Sequence, residues 1–196
     1  MQSSSIILMG IKHCGKSTQA RLLSRHYSVP SFDTDDLITE ITGKTPREIY
    51  SSEGKEAFMK AEAKACQYLK EKIDALPETG IKAVIATGGG ICNNQAAVDI
   101  LKSAGILVFL NSDEETAVSR IIREIKIESN GSLSNLPAYI AVENPKSLND
   151  VRISFHKFYV ARQSIYNSLC NVTVNMKPVT KSENRDAIID ALARCK

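Results

Sequence analysis

The chain has 196 residues, 43% of them hydrophobic and 24% charged, with a formal net charge of +3. That length suits one domain with a real core, and so small and scattered a positive charge argues against a nucleic-acid partner. No apolar run is long enough to span a bilayer, and the N-terminal residues lack the basic-then-apolar order of a secretory leader, so no membrane partner is expected.

Ser5-Ile-Ile-Leu-Met9 reads as a buried strand, and Gly10-Ile-Lys-His-Cys-Gly-Lys-Ser-Thr18 follows it at once. That segment satisfies G-x-x-x-x-G-K-[ST], and Thr18–His26, with Ala20, Leu22 and Leu23, then reads as a packed helix. A strand, a Gly-bounded loop and a helix start together cradle a polyphosphate. The nucleotide contacts expected here are Gly10, Lys12, Cys14, Gly15, Lys16, Ser17 and Thr18. Lys16, at an exposed loop-to-helix position, would reach the β- and γ-phosphates, and the Ser17 hydroxyl would ligate Mg²⁺. Cys14 is either a reactive thiol or simply a small residue in a tight loop, and the second reading is preferred.

The second strand, Pro30–Asp33, runs into Asp33-Thr-Asp-Asp36. Asp33 and Asp35 are a functional pair by their place after a strand: one carboxylate for a metal's water shell, the other for a substrate hydroxyl. Asp36 reads as a helix cap. Further strands are expected at Lys82–Thr87, Gly105–Leu110 and Asn171–Asn175, and helices at Glu53–Leu76, Asn94–Ser103, Glu114–Ile125, Ser147–Leu169 and Glu183–Arg194. Strands alternating with helices predict a parallel sheet covered on both faces, with its ligands at the carboxyl ends of the strands.

After the third strand, Gly88, Gly89 and Gly90 let backbone approach a small substrate closely. Lys126–Asn144 has poor periodicity and many turn formers, so it reads as an exposed, mobile excursion. Arg120 and Arg123 before it are candidate nucleotide contacts, and Arg162 is a candidate forked cation for an anion, although each is also compatible with a solvated helix face. The histidines show no metal-ligand spacing. The five cysteines, odd in number and equally without such spacing, read as reduced thiols of a cytoplasmic protein.

In this order the motifs resemble the shikimate kinase family over almost the whole chain. The phosphate loop is followed by Asp33-Thr34-Asp35, by Thr42-Gly43-Lys44-Thr45-Pro46-Arg47-Glu48-Ile49, and by Glu53-Gly54-Lys55-Glu56-Ala57-Phe58 with a later acid at Glu62. Ala86–Gly90 and Arg162-x-x-x-Tyr166 complete the pattern. The resemblance implies a phosphate-loop kinase of the nucleoside monophosphate kinase type. Its fold would be five parallel strands with helices on both faces, forming a single domain over 1–196 with a mobile lid at about 123–145.

It also implies ATP and Mg²⁺ as cofactors and γ-phosphoryl transfer to the 3-hydroxyl of shikimate by a monomer. Lys16 and Asp35 would be catalytic, Ser17 and Asp33 would hold the metal, and Asp35, Gly88–Gly90 and Arg162 would hold the substrate. Two positions depart from the family pattern: Met59 stands where a substrate arginine is usual, and Leu136 where the lid carries one. Phosphorylation of another polyol such as gluconate, or nucleotide binding with little kinase activity, are the alternatives these departures leave open.

Overall fold

The structure, a computed structural model, describes residues 4–78 and 80–195; Met1–Ser3, part of the stretch read for a leader, lie outside the described residues. Strand β1 (Ser4–Met9) carries Ile6, Ile7, Leu8 and Met9, all without solvent exposure. So continuous an apolar run suits a strand buried on both faces. It lies at the centre of a five-stranded parallel sheet of order β2-β3-β1-β4-β7, between β3 (Ile81–Ala86) and β4 (Gly105–Ser112). Ile7 pairs with Ile85 on one side and Leu107 on the other. The edges are β2 (Ser31–Asp33) and β7 (Val172–Met176).

Helices α1 (Lys16–Tyr27), α2 (Thr34–Thr42), α3 (Pro46–Asp74) and α4 (Gln95–Ala104) belong to the first half of the chain. Helices α5 (Glu114–Glu124), α7 (Leu148–Leu169) and α8 (Lys181–Arg194) belong to the second half. Between α5 and α7 come β5 (Lys126–Ile127), β6 (Leu133–Ser134) and the short α6 (Ala138–Ala141). Among the described residues, no helix is long and apolar enough to cross a membrane.

Three expectations are corrected. The helix expected from Glu53 starts at Pro46, because Thr45 and Glu48 form a reciprocal capping box and proline suits the first helical position. It kinks at Gly54, whose φ of 87° lies outside the helical region. Asp36 is not the cap of α2: Asp33 is, its side chain accepting from the Asp35 N–H, while Asp36 lies in the first turn. The excursion Lys126–Asn144 is not wholly exposed or irregular, because β5 and β6 pair antiparallel and Ile140 is fully buried.

Candidate active site

The carboxyl ends of the strands open into one cleft of about 1220 Å³. Its floor is the loop between β1 and α1. Lys16, expected to be exposed, is 7% exposed. Its ammonium folds back over the loop, donating to the Gly10 carbonyl at 2.9 Å and the Ile11 carbonyl at 2.8 Å. Buried carbonyls need donors, and a charged donor satisfies them strongly. Cys14 is 2% exposed and packed beside Lys16, as the small-residue reading requires.

Ser17 Oγ donates to Asp33 Oδ2 at 2.8 Å, so the first residues of α1 and the end of β2 meet in front of the loop. Lys12, Gly15 and Thr18 also line the cleft, whereas Gly10 supports the loop from behind through its carbonyl. Arg120 donates to the His13 carbonyl, clamping α5 to the loop, and Arg123 lines the same side.

A second wall of the cleft is built around the glycines after β3. A Cβ on Gly89 would stand 2.7 Å from the Lys12 amide nitrogen, so only glycine lets the two loops approach this closely. A Cβ on Gly88 would stand 3.0 Å from Asp35 Oδ1 and 3.3 Å from Glu62 Oε1, so both carboxyl groups crowd the space that a side chain there would take. Asp35 is accessible from the cleft, yet desolvation by the surrounding protein and then the charge of Asp33 push its pKa up to about 6, against the opposing pull of Lys16.

Glu62 is 1% exposed, and burial pushes it up to about 7. Its Oε2 accepts from Asn94 Nδ2 at 2.9 Å, whereas Oε1 has no hydrogen-bond partner. The same Asn94 amide donates to the Met59 carbonyl at 2.8 Å, tying α3 to the start of α4.

Arg162 is 7% exposed rather than solvated. Its guanidinium lies 4.6 Å from the Tyr139 ring centroid and 5.3 Å from that of Phe158, a stacked setting that orients the planar cation beside Gly90. One turn on, the Tyr166 hydroxyl is shared between the carbonyls of Gly10 and Gly89, at 3.2 and 3.1 Å.

Every predicted site residue therefore lies in the cleft or directly behind it. Glu62, Asn94, Tyr139 and Phe158 join them without having been predicted as site residues. Glu62 had a signal in the motif after Gly54, and Phe158 stands one turn before Arg162 on α7; Asn94 and Tyr139 act through contacts between distant segments. Of the two departures, Met59 lines the cleft as a neutral side chain, and Lys60 beside it is exposed and is not among the lining residues.

A phosphate loop at the carboxyl edge of this sheet, faced by paired aspartates, defines a phosphate-loop kinase of the nucleoside monophosphate kinase type. The sequence model of the shikimate kinase family matches residues 12–193. The chain belongs to that family.

Among its relatives, the shikimate kinase of Symbiobacterium thermophilum is 32% identical over 116 residues, 59% of this chain and 62% of that protein. The match thus spans about three-fifths of the relative's length. The shikimate kinase of Streptococcus gordonii is 28% identical over 184 residues, 94% of this chain and 98% of that protein. Among solved structures, the shikimate kinase of Acinetobacter baumannii in complex with shikimate superposes with a TM-score of 0.77 at 23% identity, covering 100% of this chain and 95% of that one. That likeness is one of fold.

Proposed function

We propose that this protein transfers the γ-phosphoryl group of ATP to the 3-hydroxyl of shikimate, giving 3-phosphoshikimate and ADP. The observation that carries the reading is the meeting, in one cleft, of the Lys16–Ser17 loop with Asp35 and the oriented Arg162, in a chain of this family. Phosphoryl transfer needs little covalent help from the protein, so positioning and charge stabilisation do most of the work.

Lys16 would leave the Gly10 and Ile11 carbonyls to meet the β- and γ-phosphates. The remaining loop residues (Gly10, Lys12, Cys14, Gly15 and Thr18), with Arg120 and Arg123, would hold the nucleotide. Asp35, with a carboxyl near 6, is ionised at neutral pH and able to accept the hydroxyl proton. Gly88, Gly89 and Gly90 would hold the ring closely, and Arg162 its carboxylate.

The Ser17 hydroxyl and Asp33 carboxylate, 2.8 Å apart, are hard oxygen donors that fit Mg²⁺. Ser17 would hold it directly and Asp33 through water, and the bound ion would neutralise phosphate charge. The whole chain would work as one domain with a lid at about 123–145, as a cytoplasmic monomer without membrane or nucleic-acid partners. The odd number of cysteines, without metal-ligand spacing, supports the compartment.

Met59 and Leu136 favour a second reading, phosphorylation of a different polyol. Measuring ADP release with shikimate, quinate and gluconate separates the two. Turnover highest with shikimate is expected; faster turnover with gluconate would replace the substrate, and no turnover with any would leave nucleotide binding alone.

A further inference from the structure

The lid has few cations of its own. Residues 127–145 contain neither Lys nor Arg. A guanidinium nevertheless reaches into it from α3. Arg47, in the first turn of α3, donates from Nη1 to Asn135 Oδ1 at 2.9 Å and from Nη2 to the Leu136 carbonyl at 2.7 Å. The two acceptors, one a side chain and the other a backbone group, take the two prongs of one planar fork, which fixes orientation as well as distance. These partners are 88 and 89 residues away in sequence, so the contact joins separate elements rather than decorating one helix.

Asn135 is itself a junction. It adopts φ of 59°, a left-handed conformation asparagine tolerates, and its Nδ2 donates to the Glu124 carbonyl at 2.8 Å at the end of α5. The Glu124 carboxylate lies 3.2 Å from His13 Nε2 and 3.8 Å from Lys12 Nζ on the phosphate loop. A chain of polar contacts thus runs from α3, across the base of the lid, to the phosphate loop, its last link the Glu124–Lys12 ion pair. Arg47 and Asn135 are exposed, so water competes for these bonds and the bridge is of the kind that opens and closes.

We propose that Arg47 is the positioning residue of the lid: its fork to Asn135 and Leu136 holds the lid shut over the acceptor, and Asn135 passes that closure to the phosphate loop through Glu124. This rests on the phosphoryl-transfer reading for its purpose, but not for its geometry. Lid closure sequesters the reacting groups from water and commits the bound substrate. A lid poor in its own cations takes its anchor from α3 instead.

The test uses the full chain and the variants Arg47→Ala, Arg47→Lys, Asn135→Gly and the Arg47→Ala/Asn135→Gly double. Glycine keeps the left-handed backbone while deleting the amide. Two readouts are taken: hydrogen exchange of residues 126–145 with a non-hydrolysable ATP analogue present, and initial rates over a range of shikimate concentrations.

Each single change to Ala or Gly is expected to speed lid exchange and raise the shikimate KM by about fivefold, with kcat changed less, the scale of a charged contact open to water. The double variant should cost clearly less than the sum of the two singles, because both delete the Arg47–Asn135 bond, while each loses only one further bond of its own, to Leu136 or to Glu124. Arg47→Lys keeps the charge without the fork and should recover less than half of the effect. Unchanged lid exchange in Arg47→Ala, additive effects in the double, or full recovery by lysine would each overturn the proposal. Absence of turnover by the wild type would overturn the kinase reading instead, while the exchange data would still decide the latch.

Discussion

Lys16 Nζ holds the carbonyls of Gly10 and Ile11 from a nearly buried position, so its replacement removes an internal tie as well as the proposed phosphate contact. Lys16→Ala is expected to abolish ADP release and also to lower unfolding stability by about 1–3 kcal/mol, the penalty for buried acceptors left unpaired. An unchanged urea midpoint would mean that water takes over both carbonyls.

The proposed role of Asp35 gives a pH signature. A base must be ionised, and this carboxyl titrates near 6, so kcat/KM should rise with pH through about 6 and level off above it. Asp35→Asn should keep nucleotide affinity and lose most transfer. A profile flat across that range, or an equal loss of nucleotide affinity, assigns the residue elsewhere.

Glu62 leaves its mark on stability instead. Its folded pKa, about 7, exceeds the roughly 4.3 of an unfolded glutamate, so the native state binds the proton more tightly. Its contribution is full below that lower value and is lost as pH rises through about 7. Glu62→Gln, always neutral and still able to accept from Asn94, should therefore gain stability over wild type between acid and mildly alkaline pH. Denaturant midpoints that differ by the same amount at both ends would refute the buried-carboxyl account.

Elements, rather than single side chains, set the distance between the two halves of the site. Helix α7 does so through Tyr166, whose hydroxyl is shared by the Gly10 carbonyl of the phosphate loop and the Gly89 carbonyl of the glycine loop. Tyr166→Phe keeps the ring against Phe109, at 5.0 Å between centroids, and deletes only that link. It should raise KM for both substrates and destabilise by about 1–3 kcal/mol; a change in only one KM would show that the two loops do not depend on one tether.

Helix α3 carries the departure at Met59. Met59→Arg would place a guanidinium three residues before Glu62, on the same helical face and near an unpartnered carboxyl oxygen. A tenfold gain in shikimate affinity would correspond to about 1.4 kcal/mol, and part of the new charge should be spent on Glu62. Lys60→Ala should leave the shikimate KM unchanged, since Lys60 does not line the cleft.

The sheet and the phosphate loop were legible because their signals are local: apolar runs such as Ile6–Met9, and glycines at fixed spacing. The start of α3 had a local signal too, the Thr45–Glu48 box, masked by the glycine that follows. Arg47, Asn94 and Tyr166 gained their partners only when segments far apart in sequence came together, and no periodicity carries that.

The whole molecule is organised around one sheet whose centre, β1, both anchors the core and delivers the phosphate loop. Its buried apolar strands and the helices packed on them form one continuous hydrophobic cluster, running from Ile6 through Phe109 to Ile188 in α8. A chain with one such core should unfold in one cooperative step, with calorimetric and van't Hoff enthalpies equal. Because the loop leaves the central strand directly, nucleotide held there should stabilise the entire sheet rather than a subdomain.

At a free concentration one hundred times its dissociation constant, a ligand bound only to the folded state adds about 2.7 kcal/mol. A non-hydrolysable ATP analogue with Mg²⁺ should therefore shift the whole wild-type transition upward without splitting it. Lys16→Ala should show little of that shift at the same ligand concentration. Two transitions, of which the analogue moves only the lower, would divide the chain into separately folding parts and overturn the single-domain proposal.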